Sequence, residues 1–350
     1  MCELWSKRIS KIPDGKKIRI GIIGTGDWGR NHVRTFASMD DCCVTRICDA
    51  SDDALQKASA IVPSAKARHT SHKITGASDV DAVVIATSSD SHYELALHAL
   101  LEGKHLLIEK PFVLQKKHAE RLIELAENHH CVLMVGHLLL HHPVVKEMKK
   151  RIEAGELGTM YYLYSTRINF GKVRTNENAL WSFAPHDIST MNYLTGKQPR
   201  VVQATGQAFI NQNNHDVVFF SMRYDNQVFA QGQVSWLDPH KRRSMTIVGS
   251  EKMFSFDDTL TTGKLAIHDK GVKTDLSYSS FEEYMQLHIG DVTTPEIPVE
   301  EPLKVQAREF LSCIREKRKP VNDGAEALRV LNVLLACQES LAQSGKAISL

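Results

Sequence analysis

"KIRIGIIGTGDWGRNHVRTFASM", residues 17–39, begins as a lysine-led run of β-branched residues, ends that run on Gly24, and passes at once into apolar residues at helical spacing. Strand, turn and helix therefore share one short stretch. Inside it, Gly24-Thr25-Gly26-Asp27-Trp28-Gly29 has the spacing of a dinucleotide fingerprint. The first glycine of such a loop permits the tight turn, the second admits a pyrophosphate against the backbone, and the third packs helix on strand. The helix that starts there offers its free amide groups and the positive end of its dipole to the phosphates. Three spaced glycines alone mark no more than a tight turn beside a helix, so the flanking sequence decides.

Further along, "CVTRICD" (43–49) is a second strand, and "ASDDALQKASAIV" follows as a helix with Ser51 and Asp52 as candidate N-caps. "DAVVIATSSDSHYELALHALLEGK", "HLLIEKPF", "KKHAERLIELAENHH" and "CVLMVGH" continue the alternation, with continuous apolar strands of the kind buried on both faces. The fold class is α/β: an N-terminal Rossmann unit with a doubly wound parallel sheet. Asp49 stands twenty positions after Gly29 at the end of the second strand. There a carboxylate accepts hydrogen bonds from ribose hydroxyls and repels a 2′-phosphate, so NAD is expected rather than NADP.

After "VGHLLLHHPVVKEMKKRIEAGELG", with a helix from Pro143, the period changes to alternation. "TMYYLYSTRINFG", "VVQATGQAFI", "DVVFFSMRYDNQVFAQGQVSWL", "RSMTIVGS" and "EKMFSFDD" read as strands joined by polar turns. This predicts a C-terminal α+β domain with a large, predominantly antiparallel open sheet. "EALRVLNVLLACQESLAQSGK" closes the chain as an amphipathic helix. The expected division is 1–136 for cofactor and 137–350 for substrate binding and self-association, with a substrate pocket where ligands bind beyond the carboxyl ends of parallel strands.

A chain of 350 residues with 42% apolar content suits two domains with real cores. Lysine plus arginine (43) nearly balance aspartate plus glutamate (41), so neither a nucleic acid nor a membrane surface is an expected partner. "MCELWSKRISKIPDGKK" has no apolar core or cleavage site of a signal peptide, and no apolar run reaches the roughly 18 residues of a spanning helix. A cytoplasmic location is expected. Seven cysteines without C-x-x-C spacing read as reduced thiols, and His137, His141 and His142 lack a carboxylate companion, so no metal site is expected.

Ala86-Thr87 with His92, "GKHLLIEKPF" (103–112) and His186 complete a pattern that resembles the glucose-fructose oxidoreductase / inositol dehydrogenase / MocA family of NAD(P)-dependent sugar dehydrogenases. "VGH" (135–137), "RINFGKVR" (167–174), "LW…APHDIS" and "SWLDPHKRR…VGS" (235–250) are similar to its nucleotide-sugar 3-dehydrogenase branch, whose substrates include UDP-N-acetyl sugars. The resemblance implies cofactor contacts from Gly24, Thr25, Gly26, Asp27, Trp28, Gly29, Asp49, Ala86, Thr87, Ser88, His92, Glu109 and Lys110. It implies substrate contacts from His137, Arg167, Asn169, Arg174, Trp181, Ser182 and His186. It also implies a homodimer or homotetramer built on the second-domain sheet.

Oxidation of a secondary alcohol needs a base, a positive group to hold the oxygen, and nicotinamide close to the carbinol hydrogen. Lys110 before Pro111 suits the positive role, and His186 the base, with a side chain that titrates near neutrality. Asp187 reads as the N-cap of a helix begun by "DISTMNYLTG", with Trp181 and Pro185 shaping the turn before it. Arg167 and Arg174, with Lys172 between them, are spaced to offer guanidinium forks and an ammonium to a diphosphate, whereas Lys241, Arg242 and Arg243 read as a charged turn. Three departures from the family pattern are Ser182 and Asn176 where aspartates are usual and Gln306 where a glutamate is common. Lost carboxylates leave three readings open: a nucleotide-sugar dehydrogenase, a dehydrogenase of a free polyol or monosaccharide, and a dinucleotide-bound sensor or scaffold with weakened catalysis.

Overall fold

Ile18, Ile20 and Ile22 are fully buried in β1 (Ile18–Ile23), the central strand of a six-stranded parallel sheet. The computed structural model describes residues 15–175, 177–212, 214–274 and 285–350. They fall into two units, one running to His141 and taking in Glu300–Leu331, the other comprising His142–Val299 and Asn332–Leu350.

In the first unit the chain follows the alternation expected from the sequence. After β1 come α1 (Asp27–Ala37), β2 (Cys42–Cys48), α2 (Asp52–Ile61), β3 (Lys66–Arg68), α3 (His72–Thr75) and β4 (Ala82–Ile85). Then follow α4 (His92–Leu101), β5 (His105–Ile108), α5 (Lys116–Asn128) and β6 (Leu133–Val135). The strand order β3-β2-β1-β4-β5-β6 is the doubly wound arrangement whose direction of winding reverses between β1 and β4. Ser51 caps α2 by accepting from the Ala54 amide, as its position predicts. Cys131 precedes β6 instead of lying in it, while burial pushes its thiol up to about 12 and so keeps it protonated.

The division differs from the expected cut in one respect. A helix over Pro302–Glu316, α8 after the two helices of the second unit described below, belongs with the parallel sheet. Its Ala307, Phe310, Leu311, Cys313 and Ile314 join a core cluster with Ile18, Phe36, Ile47, Val132 and Met134. The segment after it pairs with the sheet edge, where the Val135 amide donates to the Asn322 carbonyl at 2.9 Å.

Two histidines in this unit are held uncharged. His105 accepts a hydrogen bond from the Val132 amide through Nδ1, and burial pushes its pKa down to about 4. His137 is likewise pushed down to about 4, by burial first, with Glu109 pulling the other way. The unfolded chain binds a proton on each below about pH 6.5 while the fold refuses it until about pH 4. Stability is therefore complete above pH 6.5 and falls as pH drops toward 4, by roughly 1.4 kcal/mol per pH unit for each histidine. Urea unfolding at neutral pH and at pH 5 checks this. His105→Gln, which keeps an acceptor for Val132, is expected to flatten the dependence, and an unchanged profile would contradict the assignment.

The second unit begins with α6 (Pro143–Glu153), capped by His142, whose Nδ1 accepts from the Val144 amide. β7 (Met160–Phe170), α7 (Ala179–Thr195), β8 (Pro199–Gln207), β9 (Val217–Tyr224), β10 (Phe229–Ser235), β11 (Leu237–Gly249) and β12 (Met253–Asp257) follow. β13 (Leu265–Thr274), β14 (Met285–Thr293) and the short β15 (Ile348–Ser349) complete a nine-stranded sheet ordered β14-β13-β12-β11-β7-β10-β9-β8-β15. The closing helix, α9, spans Gly324–Ala342. β7 and β10 run parallel and every other pair is antiparallel, as a predominantly antiparallel sheet requires. β13, β14 and α8 were not anticipated. Along β7, Leu163, Ser165 and Arg167 turn inward and are buried, while Tyr162 and Tyr164 lie exposed on the other face. Among the described residues no helix is long and apolar enough to cross a membrane, and no cluster of His, Cys, Asp and Glu could hold a metal ion.

Candidate active site

The glycine loop between β1 and α1 distributes its work as the fingerprint requires. Gly24 has φ +87°, and a Cβ there would sit 2.6 Å from the Ala86 carbonyl. At Gly29 a Cβ would lie 1.9 Å from the Gly24 oxygen, so the helix can approach the strand only without a side chain. At Gly26, by contrast, nothing lies within 4 Å of where a Cβ would be. The backbone of the α1 N-terminus is thus open where a pyrophosphate would lie, and the loop fits a dinucleotide on geometric grounds.

Asp49 ties this loop to β2. Its Oδ2 accepts from the Thr25 amide at 2.6 Å and the Thr25 hydroxyl at 3.2 Å, and its Oδ1 accepts from the Ser51 amide at 2.9 Å. Oδ1 keeps a lone pair for a ribose hydroxyl. Asp49→Ser is expected to raise the KM for NAD about tenfold or more and to narrow its advantage over NADP. Initial rates with both cofactors check this, and an unaltered preference would remove Asp49 from the role. Asp27 is exposed and pairs with Arg30. Ala86 and Thr87 are half-buried and Ser88 is exposed at the end of β4, with the Thr87 and Ser91 hydroxyls 2.7 Å apart.

Glu109 is the hub of the first unit. It follows β5, is almost fully buried, and its Oε1 accepts from the Trp28 indole Nε1 at 2.6 Å. His32 Nε2 lies 2.7 Å from the same oxygen and must carry the proton, since a carboxylate can only accept. The Lys110 amide donates to Oε2 at 3.2 Å. Burial opposes ionisation of Glu109, but the bonds from His32 and Trp28 and the Lys110 charge outweigh it and hold the carboxyl below its ordinary value. A Cβ on Gly136 would come within 2.8 Å of Oε2, so the glycine of "VGH" leaves room for the carboxylate. His32 was not among the expected site residues, although it stands one helical turn after Trp28, a spacing that places both on one side of α1.

Other expected residues turn out to be internal. His92, fully buried, sets Nδ1 2.9 Å from the Pro111 carbonyl and Nε2 3.2 Å from the Thr87 carbonyl. It braces the loop after β4 against the Lys110–Pro111 segment and presents no surface to a cofactor. That peptide bond is cis. His137 is also buried, with neither ring nitrogen bonded to a described residue. Gln306 on α8 is fully buried with its amide in the same condition.

In the second unit the helix expected to start at Asp187 starts eight residues earlier, at Ala179, with Asn178 as its N-cap accepting from the Trp181 amide. Pro185 lies inside the helix and shapes no turn. Asp187 is not a cap. It is 1% exposed and holds the Arg167 guanidinium in a two-pronged pair, with Nε–Oδ2 at 2.8 Å and Nη2–Oδ1 at 3.1 Å. Arg167 therefore spends its fork on the protein, against the expectation that it and Arg174 grip a diphosphate. Arg174 pairs with Glu177 at 2.9 Å. Trp181 donates from Nε1 to Gln338 at 3.2 Å and is half-buried, and Ser182 is buried. The half-buried Asn169 folds its amide over Gly171. His186 sits half-buried on α7, its carbonyl accepting from the Ser189 and Thr190 hydroxyls. Asn176 lies outside the described residues.

Comparison with known proteins agrees with this architecture. The model of the Gfo/Idh/MocA oxidoreductase family for its NAD-binding Rossmann fold matches residues 18–137, and the model of the family's C-terminal domain matches residues 145–255. The UDP-N-acetylglucosamine 3-dehydrogenase of Acidithiobacillus ferrooxidans is 28% identical over 91% of this chain and 95% of its own. Its solved structure superposes with a TM-score of 0.79, at 25% identity, over 94% of this chain and 99% of the other. The myo-inositol 2-dehydrogenase of Thermotoga maritima is 21% identical over 93% of this chain and 96% of its own. With both family domains matched in order, and with the glycine loop in the sheet that a dinucleotide requires, the chain belongs to the Gfo/Idh/MocA family as an NAD-binding oxidoreductase.

Proposed function

We propose that the protein oxidises a ring hydroxyl, at C3, of a nucleotide-linked sugar such as a UDP-N-acetyl sugar. The observation that carries this reading is the near full-length similarity to a UDP-N-acetylglucosamine 3-dehydrogenase, coupled to a glycine loop shaped for a dinucleotide. The cofactor, held by Gly24, Thr25, Gly26, Trp28, Gly29 and Asp49, supplies the hydride acceptor. Lys110, whose backbone is anchored to Glu109, holds the alcohol oxygen as negative charge grows on it. His186 takes the hydroxyl proton. Ser182 can hydrogen-bond a sugar hydroxyl but cannot share the base's work.

The exposed aromatic row Tyr162, Tyr164, Phe219 and Phe229 on one face of the large sheet supports self-association as a homodimer or homotetramer. A second reading, oxidation of a free polyol or monosaccharide, draws support from the similarity to the myo-inositol 2-dehydrogenase. Mixing the protein with NAD and a panel of UDP-sugars, inositol and glucose separates the two. Reduced cofactor is expected with a UDP-sugar, and reduction by inositol or glucose alone would transfer the assignment to the second reading.

A further inference from the structure

The pairing of β7 with β11 sets Arg167 directly opposite Arg243. Residues opposite one another in an antiparallel pair project from the same face with Cβ atoms roughly 5 Å apart, and like charges so placed repel. Arg243 lies within the electrostatic reach of Arg167, Asp258 and Asp187. Neither carboxylate forms an ion pair with it. Asp187 is occupied by both prongs of Arg167, and Asp258 by Lys264 at 2.8 Å and His142 Nε2 at 3.3 Å. Three cations, Arg167, Arg243 and Lys264, thus face two acids, and no ion pair joins the exposed Arg243 side chain to a described residue.

A guanidinium kept beside a second guanidinium, with the neighbouring acids paired to other cations, costs stability. An anion relieves that cost. The planar fork of Arg243 presents paired N–H groups that match two oxygens of a phosphate, and the Arg167–Asp187 pair fixes a second guanidinium opposite it. Asp187 is also the residue after His186, so this surplus charge lies within electrostatic reach of the turn of α7 that carries the proposed base.

We propose that Arg243, backed by Arg167, is the phosphate-recognising residue of this protein and receives the diphosphate of a nucleotide-linked sugar. The identity of the diphosphate as part of a substrate rests on the proposed function; the anion site itself rests on the strand register and the charge count. Arg243 stands in the segment that the sequence presents as a charged turn, and the structure puts it within β11.

Calorimetric titration of the full chain, with NAD present, tests this using UDP, uridine and inorganic pyrophosphate as probes. Arg243→Gln is expected to weaken UDP and pyrophosphate about tenfold or more, Arg243→Lys to fall between, and uridine to be unaffected by either. The Arg243→Gln protein is expected to melt no lower than the parent, since a like-charge contact is removed. Equal affinity of parent and Arg243→Gln for UDP and pyrophosphate would overturn the assignment. If the parent binds pyrophosphate through Arg243 but not UDP, the anion site stands and the nucleotide-sugar reading falls. If UDP binds tightly without regard to Arg243, the site falls and that reading stands.

Discussion

Lys110→Met is expected to lower kcat by roughly 10²–10³-fold, the loss typical when one group that stabilises a developing oxyanion is removed. His186→Ala is expected to cost about 10²–10⁴-fold, as for removal of a general base. With both groups acting on one transition state, as proposed, the two losses should not add. Steady-state rates for the single and double variants check this, with the NAD-induced rise in melting temperature as the control for intact cofactor binding. A Lys110→Met protein that turns over at the parental rate would remove the lysine from the chemistry. Parental turnover in His186→Ala would do the same for the histidine.

The second large effect separates two glycines of one loop. In Gly29→Ala the new methyl would lie 1.9 Å from the Gly24 oxygen and 2.7 Å from its carbon, both backbone atoms, so helix and strand must part. Overpacking of this kind costs about 1–3 kcal/mol or more, and a lowered melting temperature together with loss of NAD binding is expected. Gly26→Ala meets nothing within 4 Å and has a negative φ, so it should fold as the parent does. Its methyl would stand in the open approach to the α1 amides, and NAD binding is expected to weaken there too. Melting curves with and without NAD distinguish the pair. A Gly26→Ala protein that binds NAD as tightly as the parent would contradict the placement of the pyrophosphate.

The Rossmann half was legible because its signals are local. The β1 run, the glycine spacing and Asp49 all lie within one unit of strand, helix and strand, and the parallel sheet follows from the alternation. Long-range partners were not legible. Asp187 reads as a cap because Trp181 and Pro185 resemble a turn before a helix, yet Pro185 lies within α7 and the carboxylate's partner is on a strand twenty residues earlier. Arg167 reads as free for the same reason, since composition shows the cation but not the acid that folding brings to it, whereas the partner of Arg174, Glu177, stands only three residues on. His92 illustrates the opposite case, a residue the family pattern marks but whose nitrogens both face backbone carbonyls, so its place in that pattern reflects loop architecture. α8 escaped altogether, since only the packed core reveals that Phe310 and Leu311 belong with Ile18 and Ile47.

The proposed chemistry moves one hydrogen from one carbon, and that hydrogen can be followed directly. UDP-N-acetylglucosamine carrying deuterium at C3 should be incubated with the protein and NAD, and the reduced cofactor analysed by mass spectrometry. The account predicts reduced cofactor one mass unit heavier than with unlabelled sugar, and a primary isotope effect if hydride transfer limits the rate. Reduced cofactor without deuterium, or no reduced cofactor while the C3 label stays in the sugar, would contradict it.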